Sequence, residues 1–483
     1  MKVVLFALNG SWVHTNLAIR CLRRGLEADG NTVELIEHTL RDRTSHILEH
    51  LYRARADVYG FSCYIWNIEE ILPLTRDLHA LLPQCKIVLG GPEVSFDTDR
   101  FDGMDWIDAI VCGEGEGAMR ELCRDIRDGK SHGRILQGGA TPETMADEGI
   151  LYREGEGTDG ILYYESSRGC PYGCAYCLSS ATRGLRMKSV EQTIEDLMQF
   201  ERIHASCKVI KFVDRTFNAD VDRANAIWRA LCSERFTKHY HFEVSAAGLN
   251  EESFSILAQM PRGKIQLEFG LQSTHEPTLR AVARHLSPTR TLEAVRRIHQ
   301  MGSIHVHLDL IAGLPYEDYA RFGQSFDEAY ACCDLLQVGF LKLLHGTELR
   351  RRAEEYGYVS LSRAPYTVLQ SKWISYEEMQ ALSHMAEVLE RYRESGRFAH
   401  ALWYLASLVP SQFAFWTGFS EYLLATDSRP LQKISQPDAY RYLLEYAVKA
   451  VQNAERERLC EMLSADFLQH EHKNPPHFLR ARE

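Results

Sequence analysis

The sequence predicts an α/β protein in which two successive runs of strand–helix alternation precede an all-helical region. Three observations predict it. Short apolar runs separated by amphipathic helical stretches fill residues 2–128. The same alternation resumes at 161 and runs to 344. From about 355, strand signals give way to apolar spacing of helical period, as in YEEMQALSHMAEVLERY (376–392) and PDAYRYLLEYAVKAVQNA (437–454).

The first run reads as strands at 2–8, 32–38, 57–63, 86–91 and 108–113, with helices at 15–29, 44–55, 68–82 and 114–128. Five strands joined by helices imply βαβ units and a doubly wound parallel sheet of flavodoxin-like or Rossmann-like form, domain 1–130. Ligands of such sheets bind at the carboxyl ends of the strands. Here those ends are Asn9 to His14 (including Ser11), Ser62 to Asn67 (with Tyr64 and Trp66), Gly90, Gly91, Pro92 and Glu93, and Cys112 to Gly117 with Gly113 and Glu114. Residues 131–160 are rich in Gly, Asp and Glu and read as a linker.

The second run, domain 161–354, places strands at 161–167, 209–214, 240–246, 264–270, 305–313 and 335–344. Six strands with intervening helices suggest a partial, TIM-like (β/α)6 barrel whose reactive groups lie on the loops after its strands. Residues 355–483 form the helical C-terminal domain. Within it, residues 401–425 carry Glu421 as their one charge and are long enough to span a bilayer, but Pro410, Ser411 and Gln412 split them. Two buried helices meeting at a turn are expected, with no stable membrane insertion. The final HEHKNPPHFLRARE reads as a loose tail.

Composition narrows the function classes. The chain has 483 residues, 45% hydrophobic and 25% charged, enough for two or three domains with their own cores. A net charge of −11 argues against a large nucleic-acid partner. The apolar run at the N-terminus breaks at Asn9-Gly10, too soon for a signal peptide, so a cytoplasmic location is expected. Thirteen cysteines then read as reduced thiols or metal ligands, ten of them scattered as small core residues.

The other three lie together in SSRGCPYGCAYCLSS (166–180), at Cys170, Cys174 and Cys177. A structural zinc site needs four ligands, usually as two separated pairs, and a disulfide framework does not suit the compartment or the odd count. An iron–sulfur cluster on three thiolates fits better and leaves one iron open to a substrate or cofactor.

The spacing C-x3-C-x2-C, with an aromatic before the third cysteine and a strand before the loop, resembles the signature of the radical S-adenosylmethionine (SAM) superfamily. The resemblance implies a 4Fe-4S cluster on Cys170, Cys174 and Cys177, SAM chelating the unique iron, and Tyr176 near the adenine. FVDRTFNAD (212–220), EFGLQST (268–274) and HLDLIAGLPYED (307–318) look like strand-end segments of the members that also carry a cobalamin-binding domain. Asp214, Arg215, Glu243, Glu268 and Gln272, charged or polar groups near strand ends, become candidates for SAM or substrate contacts; Asp214 and Arg215 could equally form a structural ion pair.

NGSWVHTNLAIRCL (9–22), GFSCYIWNI (60–68), VLGGPEVS (88–95) and VCGEGE (111–116) resemble the cobalamin-binding domain of the same enzymes. Gly90–Gly91 would let a flat ligand approach the backbone, and Ser62 could donate to a nucleotide tail. GEGEG (113–117) is a poor dinucleotide site, because Glu114 and Glu116 would repel a pyrophosphate. The Asp-x-His-x-x-Gly motif that gives cobalt a lower histidine is missing; His14 lies near that loop without the flanking pattern. LKLLHGTELRRRAEEYGY (341–358), APYTVLQSKWISYEE (364–378) and ESGRFAHAL (394–402) resemble the subgroup with an uncharacterised helical C-terminal domain. One departure is Ser245-Ala246-Ala247-Gly248, where relatives tend to show Ala-Ala-Asp.

The resemblance implies a transferase that moves a methyl group from SAM through cobalamin to an unreactive atom of a small-molecule substrate, with an electron donor such as flavodoxin or ferredoxin. One alternative is aminocarboxypropyl transfer to an acceptor such as arsenite, as in arsinothricin biosynthesis, for which Cys332–Cys333 would suit a thiophilic acceptor, although adjacent residues on a helix point apart and such cysteines are more often core. Another is a cobalamin-binding sensor without turnover.

Overall fold

The computed structural model describes residues 1–140, 145, 149–157, 160–181, 184–204 and 206–479. The N-terminal unit runs β1 (Lys2–Asn9), α1 (Leu17–Ala28), β2 (Thr32–Thr39), α2 (Thr44–Ala54), β3 (Val58–Ser62), α3 (Ile68–Leu81), β4 (Lys86–Gly90), β5 (Ala109–Cys112), α4 (Gly115–Arg127) and β6 (Ile135–Gln137). The strands form one parallel sheet in the order β2-β1-β3-β4-β5-β6. Helices cover both faces, which is why β1 and β3 are buried almost end to end. β6 is a correction: it lies in the expected linker, part of which falls outside the described residues, and extends the sheet from five strands to six.

The second unit runs β7 (Ile161–Tyr164), β8 (Ser167–Arg168), β9 (Arg186–Met187), α5 (Val190–Ile203), β10 (Val209–Phe212), α6 (Val221–Leu231), β11 (His239–Val244), α7 (Glu251–Leu257), β12 (Ile265–Gln272), α8 (Glu276–Ala281), α9 (Pro288–His299), β13 (His305–Ala312), α10 (Tyr319–Tyr330) and β14 (Leu335–Phe340). Six strands pair in parallel in strict sequence order, β7-β10-β11-β12-β13-β14, as a partial barrel requires, while β8 and β9 form a small hairpin around the cysteine loop. Side chains alternate along each strand. Phe212, Phe242, Leu267 and Leu308 pack in the buried core, whereas Lys211, His241, Glu268 and His307 fall at alternate positions on the opposite face. Side-chain caps start the helices that follow the strands: Asp220 accepts from Arg223 N, Asn250 closes a capping box, and Asp318 accepts from Arg321 N.

The chain ends with α11 (Glu348–Arg351), the hairpin β15 (Val359–Ser360) and β16 (Val368–Gln370), then α12 (Tyr376–Leu389), α13 (Ala399–Ala406), α14 (Gln412–Thr426), α15 (Gln436–Ala450) and α16 (Arg456–Glu471). The hairpin is a second departure from the all-helical expectation. Trp416, Phe419, Tyr392 and Tyr440 are buried in one core continuous with that of the barrel. Residues 401–425 divide into α13 and α14, and no helix among the described residues is long and apolar enough to cross a membrane. The tail also departs from expectation up to residue 479. Leu479 is buried and its carbonyl accepts from Ser464 Oγ at 2.8 Å, so this part packs against α16; 480–483 lie outside the described residues.

Candidate functional site

The cysteine loop leaves the end of β7 and is anchored at its first residues. Asp214, just past β10, is fully buried and accepts from Ser166 N at 2.8 Å, Ser166 Oγ at 2.5 Å and Ser167 Oγ at 2.7 Å. Burial pushes its carboxyl pKa up, and the serine hydrogen bonds oppose that rise. Asp214 therefore positions the loop from behind, neither exposed to a ligand nor paired with the exposed Arg215. Gly169 has φ +99°, and a Cβ there would collide with the Gly184 carbonyl where β8 and β9 close.

Within the loop, Cys170 Sγ lies 3.6 Å from Thr216 Oγ1, and Cys174 Sγ lies 3.5 Å from Arg284 Nη1. Ala175 N donates to Val282 O, and Leu349 N donates to Ala175 O, so the backbone between the thiols is clamped from both sides. The three sulfurs do not close to within 4.8 Å of one another, as ligands of one ion must, and a multi-iron cluster spreads its ligands more widely. Tyr176, half-buried, has its hydroxyl 3.4 Å from Arg284, and burial pushes its phenol well above the ordinary value. Arg284 also donates to the Gly270 carbonyl. Sequence reasoning missed this arginine, because no local pattern marks a residue 110 positions from the cysteine it touches.

On the barrel strands, charged side chains gather on the face opposite the apolar core. Glu268 Oε2 lies 2.8 Å from His241 Nε2, 3.6 Å from His307 Nδ1 and 3.8 Å from Lys211 Nζ. Burial alone would raise its pKa, but His241, His307 and Lys211 together bring it down to about 2. Glu243, aligned with Glu268 on the next strand, goes the other way: burial raises it to about 7, Arg215 notwithstanding. Gln272 sits at a bulge with φ +70°, its Oε1 buried and unpartnered, and its amide fills the space a Cβ on Gly270 would need. Of the five strand-end candidates, the structure groups Glu243 and Glu268 with Lys211, His241, His307 and Asp309, which sequence reasoning did not name. Gly248, in the segment Ser245–Gly248, is fixed by packing: a Cβ would strike the Asn218 carbonyl, and Asn218 bonds to both Ser245 and Gly248.

At the carboxyl end of the N-terminal sheet, Tyr64 and Trp66 stack with centroids 4.3 Å apart and planes 7° from parallel, and Trp12 and Trp66 are exposed. Asn67 and Asn9 tie these loops down: Asn67 donates to Leu8 O and Ser62 O, and Asn9 to His14 O and Glu37 Oε1. Ser11 is half-exposed, its carbonyl accepting from His14 N, and no atom stands within 4 Å of a Cβ placed on Gly10. The exposed aromatic plate and this open loop suit the flat, weakly polar face of a corrin.

Other strand-end candidates have protein partners. Ser62 Oγ accepts from Asn16 Nδ2 at 3.2 Å. Gly91, with φ +114°, makes room for the Cys63 carbonyl, 2.5 Å from where a Cβ would stand, so it serves backbone packing. Gly90 meets only ordinary contacts. Pro92 opens an exposed turn, while the next residue, Glu93, is buried and bonded to Tyr366 Oη at 2.6 Å and to Arg100, tying this unit to the C-terminal region. Gly113 N donates to Ser95 Oγ, and Glu114 pairs with Arg168 at 2.9 Å and with Arg186. His14 Nδ1 is 2.7 Å from Tyr163 Oη of the barrel, and the His14 backbone bridges to Ile161. Cys332 and Cys333 follow α10, buried; burial pushes the Cys333 thiol up to about 12, so neither is a poised thiolate.

Two cofactor-type domains thus meet: a doubly wound sheet with an aromatic crest, and a partial barrel with a three-thiol loop after its first strand. The B12 binding domain family matches residues 4–123, the radical SAM superfamily matches 164–329, and a family described as protein of unknown function (DUF4080) matches 354–483. The chain thus carries a B12-binding domain followed by a radical SAM domain and a helical C-terminal domain. Among curated proteins it is similar to an uncharacterized methyltransferase of Pyrococcus horikoshii, 24% identical over 62% of this chain and 71% of that one. It is also similar to the hopanoid C-3 methylase of Methylococcus capsulatus, 26% identical over 64% of each, and to the cobalamin-dependent radical SAM methyltransferase TokK of Streptomyces tokunonensis, 24% identical over 55% of this chain and 44% of that one. Among solved structures, OxsB with aqua-cobalamin and SAM bound shares the fold at TM-score 0.63 and 14% identity, over 98% of this chain and 79% of that one. TsrM from Kitasatospora setae, solved with cobalamin and a [4Fe-4S] cluster, does so at TM-score 0.60 and 17% identity, over 75% of this chain and 76% of that one.

Proposed function

We propose that the chain transfers a methyl group from SAM, by way of cobalamin, to an unreactive atom of a small-molecule substrate, with reducing electrons from a flavodoxin- or ferredoxin-class donor. The observation that carries this reading is the fastening of the two domains at their reactive ends. Arg168, two residues before Cys170, reaches Glu165 at 2.7 Å, Glu114 at 2.9 Å and Glu116 at 2.8 Å, the last two at the carboxyl end of β5. The thiol loop and the crest of the B12-binding sheet are therefore held to each other.

Cys170, Cys174 and Cys177 would hold the cluster, Tyr176 and Arg284 would border it, and Tyr64, Trp66 and Trp12 would offer the corrin its apolar plate. When bound, the cluster supplies the electron that cleaves a carbon–sulfur bond of SAM, and cobalamin carries the methyl group. The chain's own residues orient and enclose. Asp214 fixes the loop's start, Arg284 its middle, and the charged barrel floor presents hydrogen-bonding groups to a polar substrate.

The test is product analysis after anaerobic reconstitution with iron, sulfide and cobalamin, followed by reduction with SAM present. Release of 5′-deoxyadenosine and S-adenosylhomocysteine is expected; methylthioadenosine in their place would point to aminocarboxypropyl transfer and sink the proposal.

A further inference from the structure

His241, Glu268 and His307 stand on three adjacent barrel strands, β11, β12 and β13, and aim at one point. Among the described residues they are the one set of three His, Cys, Asp or Glu side chains whose ligand atoms all lie within 4.8 Å of one another. Both imidazoles are more than nine-tenths buried, His241 at 8% and His307 at 6% exposure. Their nitrogens are not used up by the contacts around them. His241 Nε2 is 2.8 Å from Glu268 Oε2, yet off the line of an N–H···O hydrogen bond, and both nitrogens of His307 lack a hydrogen-bonding partner. An ordinary buried ion-pair network would align its protons, because an unsatisfied buried polar atom costs about 1–3 kcal/mol. Lone pairs that converge without hydrogen-bond geometry are what a shared cation resolves.

We propose that His241, Glu268 and His307 bind one divalent first-row transition-metal ion of the zinc class, a site separate from the cysteine loop. Two imidazoles and a carboxylate suit zinc or iron(II) rather than calcium or magnesium, which prefer all-oxygen shells. Three protein ligands leave further coordination positions for water or a substrate group. Asp309 stands behind the ring: its Oδ1 lies 3.1 Å from His307 Nε2, out of hydrogen-bond line as it stands, while His307 Nδ1 faces Glu268, so a small ring rotation on metal binding would set the carboxylate–histidine–metal order that orients a ligand ring. Lys211, with Nζ 3.8 Å from Glu268 Oε2, is the competing cation.

The probe is zinc alone, titrated against a competing chelator into the full-length chain with its cluster reconstituted. One tight site per chain is expected. Asp309→Asn should weaken it roughly 10–100-fold, and His241→Gln or His307→Gln by more than that. Lys211→Met, which removes only the competing charge, should tighten it, so the result does not hang on a histidine variant that fails to fold. In the full-length Cys170→Ser/Cys174→Ser/Cys177→Ser chain, cobalt(II) should show ligand-field bands without the near-ultraviolet thiolate band. Affinity unchanged in both histidine variants, unchanged or weakened by Lys211→Met, or a metal signal that disappears with the cysteines, would overturn the site. None of these readouts requires SAM turnover, so failure here and failure of methyl transfer are distinguishable.

Discussion

Arg284 shows how one side chain can organise a loop from far away in sequence. Its guanidinium touches Cys174, Tyr176 and the Gly270 carbonyl at once, a fork that lysine cannot reproduce. Arg284→Lys should therefore lower the iron and acid-labile sulfide retained after reconstitution without changing the thermal midpoint of the cluster-free chain; retention at the unmodified level would remove Arg284 from the account. Glu317 makes a different prediction. Burial raises its carboxyl from the usual 4.5 to about 7, opposed by the hydroxyls of Ser273 and Ser325, which donate to it at 2.6 and 2.8 Å. Because folding raises this pKa, the protonated form favours the folded state: the contribution is complete below about 4.5 and is lost as pH rises through about 7. Glu317→Gln should flatten the fall in thermal midpoint between pH 5 and 8, and an unchanged slope would refute the assignment. At this scale the sequence declared the cysteines outright, since their spacing is local. The barrel cluster left a fainter trace, polar residues at every second place in HYHFE and HVHLD, that is, charge on the alternating face of otherwise apolar strands. That period was readable; which of those groups meet depends on strand register, which sequence alone does not set.

Strands and helices were legible where their period was long enough to see. Each strand of both sheets except β6 lay within a few residues of its expected span: those of the N-terminal sheet read as continuous apolar runs, and those of the barrel as runs with apolar residues at alternate places. β6 has three residues and the hairpin of β15 and β16 only five, too short for a period to show against their loops. The loops at the strand ends were harder. Gly90 and Gly91 looked like one ligand-facing pair, yet Gly91 is spent on the Cys63 carbonyl. Gly91→Ala should cost about 1–3 kcal/mol in urea unfolding, from the left-handed φ and the collision together, while Gly90→Ala should cost less. Equal losses in the two variants would contradict this division of roles.

For the whole molecule, the order of domains was legible and their docking was not. Contacts such as Arg168 to Glu114, His14 to Tyr163 and Glu93 to Tyr366 join segments 54, 149 and 273 residues apart, and each uses a group that looked free to meet a cofactor. Carboxylates at strand ends can serve a ligand or a neighbouring domain, and only the assembled fold distinguishes them. Arg168→Met should leave cluster content and cobalamin uptake intact but slow methyl release from SAM, because it loosens the fastening and none of the thiols; a rate equal to that of the unmodified chain would show that docking does not depend on it.

A cluster on Cys170, Cys174 and Cys177 of the first barrel loop is what SAM cleavage by this chain would require. Such a cluster is tested most directly by iron, sulfide and SAM-cleavage analysis of the oxygen-free chain beside its Cys174→Ala variant. About four irons and four sulfides per chain are expected, with reductant-dependent SAM cleavage in the parent and no cleavage in the variant. A colourless chain without iron, or a variant that cleaves SAM as fast as its parent, would contradict this assignment.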